Sequence, residues 1–408
     1  MIKEADSQNR FPYRAVWGGI AAMFLAFGVG RFAYTPLLPL MREQTGLSLD
    51  LAGYLASLMY LGYLAGSVAT TRALARFGAF TLLRAGLSML VLGTWAMSAG
   101  AGFPFWAIVM FSIGASSAAI FLSALSLVLG VFLSYGAGWL TALLYAGIGA
   151  AIVLLGLVVP EIGAASGWQG AWRFVSCTAL AGGGLCHVLL APYRRTQKAA
   201  GHGEPAWAIP GAKRAALWLI IAYALLGFSY TIGGTFMVAM LADLPGLHDQ
   251  AHLGWVLVGA AVIPSCIIWP LVAARIGEVK TTAILLALLG LANMSIVVWS
   301  SPLGVLVAAG LFGMSFLAIP GLVLSRLGKL AGAGKDQIAG LATVIFGVAM
   351  VLGPSIGGLL ARLTDTFAWS LGMAGAVLFS AAVIALRADL ETKSRGMESV
   401  GKCVEDCC

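Results

Sequence analysis

The sequence predicts an all-α polytopic membrane protein: twelve transmembrane helices in two pseudo-symmetric six-helix bundles. Three observations predict it. Hydrophobic residues make up 60% of the 408 and charged residues 10%, against about 25% charged in a soluble domain. Apolar runs of roughly 20 residues or more, enough to cross a bilayer, recur along the whole chain. Lysine and arginine gather in alternate breaks between those runs, the positive-inside pattern.

The runs fall at about 15–40, 50–71, 79–99, 104–129, 137–160, 168–191, 214–242, 253–274, 279–299, 303–325, 338–360 and 367–387. The polar start, 1–14, lacks the features of a signal peptide, so the first run is expected to stay as a span. The break at 130–138 is uncharged and the least marked of the series. The longest break, 192–213, is polar, basic and contains Pro and Gly, which suits a linker between bundles at 15–191 and 214–387. A polar tail, 388–408, follows.

Loop charges orient the chain. With both termini cytoplasmic, Arg42, Arg173 and Arg362 fall outside, Arg31 falls in the membrane, and the rest of the 24 Lys and Arg fall inside. This sidedness accounts for the net charge of +8 without nucleic acid. The halves also echo each other at an offset of roughly 200 residues, as parallel transporter repeats do. Ala75-Arg76-Phe77-Gly78 matches Ala274-Arg275-Ile276-Gly277, Gly53-Tyr54 matches Gly254-Trp255, Thr35 matches Thr235, and Gly114 matches Gly313.

Several chemistries are absent from the pattern. No nucleophile–His–acid grouping and no Walker loop stands out, so neither an enzyme nor an ATP-driven pump is expected. Four scattered histidines form no metal-ligand spacing, and no cofactor is implied. Cys177, Cys186 and Cys266 sit in apolar runs, as small buried hydrophobes do. Cys403, Cys407 and Cys408 crowd the tail, where an inert segment is the simpler reading than soft-metal binding or palmitoylation.

Arg31 dominates the first span, WGGIAAMFLAFGVGRFAYTPLLPL from Trp17 to Leu40. An Arg at helix centre costs roughly 2.5–3.5 kcal/mol on insertion scales, so it normally faces protein or a wet cavity. Tyr34 and Thr35 lie three and four residues on, hence on the same face of a regular helix. A guanidinium flanked by a phenol and a hydroxyl reads as an anion cradle. Ser116 in the fourth run, Tyr230, Thr231 and Thr235 in the seventh, and Ser315 in the tenth are further candidates to line a substrate path. No Asp or Glu lies deep in any run, so uniport, anion exchange and proton coupling are all compatible with the sequence.

The segment Gly28-Val29-Gly30-Arg31-Phe32-Ala33-Tyr34-Thr35-Pro36-Leu37-Leu38-Pro39 resembles the first-helix signature of the YbfB/YjiJ-type branch of the major facilitator superfamily. Arg76-Phe77-Gly78 resembles the superfamily's loop 2–3 signature, departing at Ala75, Ala79 and Phe80. Gly353-Pro354-Ser355-Ile356-Gly357-Gly358 is similar to its antiporter-type glycine-proline motif, though in span 11 rather than span 5. The resemblance covers roughly residues 10–390 and implies alternating access by rocking of two halves.

It implies a permease of the bacterial inner membrane, functioning as a monomer, with a cavity lined chiefly by spans 1, 4, 7 and 10. Arg76, Gly78, Arg275, Gly277, Gly353 and Pro354 would serve conformational gating. The expected partners are a small organic substrate, anionic because of Arg31, with a coupling proton or an exchanged anion, and the lipid bilayer. A drug or amphiphile efflux carrier is the alternative, and a non-transporting receptor or scaffold a more distant one.

Overall fold

The computed structural model describes residues 12–100, 102–137, 140–194, 212–243, 250–299 and 301–405, without the side chains of 333, 336 and 392–405. Most of the terminal segment 1–14 and of the linker 192–213 lies outside the described residues, as do the side chains of Cys403, Cys407 and Cys408.

Among the described residues, eleven helices are long and apolar enough to cross a membrane. The first, α1, is Tyr13–Thr45, followed by α2 (Leu49–Phe77), α3 (Ala79–Ala96) and α4 (Phe103–Ser134). The fifth apolar element, Leu140–Tyr193, has 54 residues and would run roughly 80 Å if straight, far beyond a ~30 Å hydrocarbon core. It does not run straight. Gly167 adopts φ 71°, ψ 178°, a conformation that suits glycine because it has no Cβ. The Gln44 side chain accepts the Trp168 N–H just after that break at 2.9 Å. Its two arms, 140–166 and 168–193, are labelled α5 and α6. Then come α7 (Ala212–Ala242), α8 (Ala251–Ile276), α9 (Glu278–Val298), α10 (Pro302–Ala331), α11 (Lys335–Thr364) and α12 (Ala368–Glu405).

Several helix ends differ from the sequence reading: α2 runs to Phe77, and α12 continues to Glu405 through most of the expected polar tail. The uncharged break at 130–138 does end a helix, at Ser134, with a turn at Tyr135 and Gly136. The tenth run is interrupted at Phe316 and Leu317 and continues to Ala331, further than hydropathy suggested. Cys186 and Cys266 are buried, but Cys177 is exposed on its helix flank, where a lipid-facing thiol meets no packing demand.

Helix pairs approach closely through glycine. A Cβ on Gly114 (α4) would strike the Met59 carbonyl of α2, and one on Gly313 (α10) would strike the Val258 carbonyl of α8. These two contacts occupy matching places in the two sequence repeats. Gly78 (φ 77°, ψ 150°) and Gly277 (φ 93°, ψ 151°) likewise share one backbone conformation after α2 and α8.

Two seams join α1–α6 to α7–α12. On one, α2 meets α11, where Gly53 lies against the Pro354 carbonyl and a Cβ on Gly358 would come within 2.7 Å of the Leu49 carbonyl. On the other, α5 meets α8, where a Cβ on Gly149 would come 2.6 Å from the Gly259 carbonyl and one on Gly259 2.7 Å from the Gly149 carbonyl. Small residues permit this spacing.

A Gly53→Leu variant should lose about 1–3 kcal/mol through overpacking against backbone, seen as a lower Tm and a smaller monodisperse yield. Gly372→Ala, where an added methyl meets nothing within 4 Å, should leave both unchanged. Equal behaviour of the two variants would refute the seam geometry.

Candidate functional site

Arg31 is buried at 6% exposure and occupies a widened stretch of α1, a π-helix over Phe24–Phe32. Such segments are rare and occur often at functional sites. Gly28 and Gly30 let this stretch press on its neighbours: a Cβ on Gly28 would strike the Ala151 side chain, and one on Gly30 the Ser117 hydroxyl. The wide turn thus seats the arginine between α2, α4, α5 and the second half.

Aromatic rings surround the cation. The Arg31 Cζ lies 4.4 Å from the Tyr63 ring centroid, 5.0 Å from Tyr60 and 5.1 Å from Phe27. Cation–π attraction is worth about 2 kcal/mol or more where water is excluded. Arg31 Nη2 donates to the Met350 sulfur at 3.1 Å, and the Tyr230 hydroxyl donates to the same sulfur at 3.1 Å. The Nε is buried without a partner. Among the described residues the buried charged groups are Arg31 and Asp50. Asp50 is engaged elsewhere, with Arg362 at 2.8 Å and as acceptor from Ser48 at 2.6 Å. Arg31 therefore makes no ion pair with a described residue.

Beyond Met350 the rings align. Phe346, one turn earlier on α11, stacks on Tyr223 (centroids 4.1 Å apart, planes 9° apart) and lies nearly parallel to Tyr230 (6.0 Å, 6°). Tyr230 is parallel to Phe316 within 14° at 6.0 Å.

The structure gathers Arg31 and Tyr230 from the sequence candidates, and sends others elsewhere. The π-turn shifts the register, so Tyr34 and Thr35 do not cradle the guanidinium. The Tyr34 hydroxyl donates to the Ala52 carbonyl at 3.2 Å and the Thr35 hydroxyl to the Gly234 carbonyl at 2.6 Å. Thr231, Ser116 and Ser315 donate to carbonyls of their own helices. Thr235, buried on α7, stays beside the site, within hydrogen-bonding reach of the Tyr60 hydroxyl. Asn293 also bonds its own helix, through Nδ2 to Leu289.

Among the expected gating residues, Arg76 and Arg275 are exposed at the end of the molecule where α2 and α8 finish, each followed by its glycine. Gly353 backs onto the Phe228 carbonyl and the Thr231 hydroxyl, and Pro354 onto Gly53. Phe27, Tyr60, Tyr63, Phe346 and Met350 were not singled out from sequence. Their signal was two tyrosines in mid-span, away from the interface where tyrosine usually sits.

The opposite end of the molecule, around Asp50, is fastened across the two halves. Asp50–Arg362 and Arg42–Asp243 (3.6 Å) both cross, as does a hydrogen bond from Ser355 to Ser57 at 2.7 Å.

A bundle of apolar helices around a buried cation defines a multi-pass membrane protein with a polar site at its centre. Residues 23–386 match the family model described as "Uncharacterised MFS-type transporter YbfB". The chain belongs to that family and is a transporter of the major facilitator type. A search among curated proteins finds no match.

Replacing Arg31 by Met should raise the Tm of the ligand-free protein, because a buried charge without an ionic partner is costly and the apolar replacement removes that cost. A lower Tm would mean that the ring cage more than compensates the buried charge.

Proposed function

We propose that this transporter carries a small anionic organic solute, bound at Arg31, by alternating access between two six-helix bundles. The observation that carries this reading is a guanidinium deep in the bundle with an unpaired Nε, a sulfur for an acceptor and no carboxylate partner among the described residues. A charge so placed is costly unless something completes it, and a substrate anion would do so. An amphiphile carrier would use the same rings but would leave the cation uncompensated.

Counting α5 and α6 as separate spans gives twelve, with both termini on one side. Arg72, Arg76, Arg84, Arg275, Lys280, Arg326, Lys329 and Lys335 cluster at the Arg76 end, which supports a cytoplasmic placement for that end in the inner membrane. The Asp50 end then faces outward, and its two cross-half ion pairs suit a state closed to the outside.

Arg31→Lys keeps the charge but loses the planar fork. In proteoliposomes it should lower organic-anion transport by roughly 10- to 150-fold, the equivalent of about 1.5–3 kcal/mol in charge-assisted hydrogen bonds. Transport at the wild-type rate in Arg31→Lys and Arg31→Met alike would overturn the proposal.

Asp50→Asn should shift the resting population toward opening at the Asp50 end by up to about 1 kcal/mol, roughly fivefold. Spin-label distances across α2 and α11 would report it, and the double exchange Asp50→Arg with Arg362→Asp should restore the original distribution.

A further inference from the structure

We propose that the solute is a monocarboxylate with a flat aromatic body, and that the Met350 thioether occupies the place of one carboxylate oxygen in the ligand-free protein. The inference rests on the reading of Arg31 as the anion site and specifies its ligand.

Two strong donors, the Arg31 guanidinium and the Tyr230 phenol, converge on Met350 Sδ from opposite halves, each at 3.1 Å. A thioether is a weak acceptor, so the pair is better matched to an oxygen carrying negative charge. Nε and Nη2 flank one edge of the guanidinium. Nη2 points at the sulfur and Nε has no partner. A carboxylate reaching that edge would take one oxygen to Nη2 and Tyr230 and the other to Nε, the two-pronged arrangement that arginine favours. Met350 is free to leave because its side chain has three rotatable bonds and repacks readily.

The body of the ligand would lie in the volume that the methionine vacates. Tyr230 touches Met350, and Phe346, one turn away on α11, and Phe316 lie nearly parallel to the Tyr230 ring. A planar ring extends such an array with offset stacking, whereas a puckered saturated ring gains apolar contact alone. The charge count limits the ligand to one carboxylate: among the described residues Arg31 is the one buried cation, and a second ionised group would be desolvated without a partner.

The test is isothermal titration and thermal shift on the purified full chain with four probes: benzoate, cyclohexanecarboxylate, terephthalate and benzamide. Benzoate should bind roughly three- to tenfold tighter than cyclohexanecarboxylate, the increment expected of ring stacking, and terephthalate and benzamide should bind more weakly still. Met350→Ala and the isosteric Met350→Leu should both tighten benzoate binding, since the competing acceptor is gone. Phe346→Leu should weaken benzoate while sparing cyclohexanecarboxylate.

Equal affinity for benzoate and cyclohexanecarboxylate would overturn the aromatic claim and leave the anion site standing. Weaker benzoate binding in both Met350 variants would overturn the stand-in role. Carboxylate binding that persists in Arg31→Met would sink the anion site itself, and this inference with it.

Discussion

The arrangement turns on a positive charge held among rings and a sulfur atom instead of against a carboxylate. Arg31 sits where water is excluded, and its neighbours Tyr63, Tyr60 and Phe27 offer quadrupoles while Met350 offers a soft lone pair. Such contacts moderate the cost of burial without cancelling the charge. A fixed carboxylate would neutralise the arginine permanently; none among the described residues does so.

The cage spans both halves. Phe27, Tyr60 and Tyr63 belong to α1 and α2, while Tyr230 and Met350 come from α7 and α11. Any movement of one half against the other changes the distance between the donors that meet at Met350. Near Asp50 the halves are also joined by its ion pair with Arg362 and by the Ser355–Ser57 hydrogen bond.

Much of this was legible in the sequence. Hydropathy and loop charge located the apolar helices, and the recurring Arg-Phe-Gly and Arg-Ile-Gly breaks marked turns that share one glycine conformation. Arg31 declared itself as a charge in an apolar run. Its partners did not, because helical spacing assumes 3.6 residues per turn, and the π-stretch over Phe24–Phe32 breaks that rule. Tyr34 and Thr35 accordingly rotate away to bind Ala52 and Gly234. The contribution of α11 was hidden for another reason: methionine and phenylalanine in a span look like ordinary packing, and contacts between residues some three hundred positions apart leave no local pattern.

The seams between the halves have a mechanical consequence. At Gly53 against Pro354 and Gly149 against Gly259, main chain comes close to main chain, and at the second contact the Ile263 and Ile152 side chains pack against the facing glycine. Knobs seated in holes must be withdrawn before two surfaces part, and each withdrawal adds to the barrier. A contact of that kind leaves few side chains to be withdrawn at Gly53 and Pro354, whereas the isoleucines at Gly149 and Gly259 act as teeth, so the two seams differ in how firmly they hold the halves together.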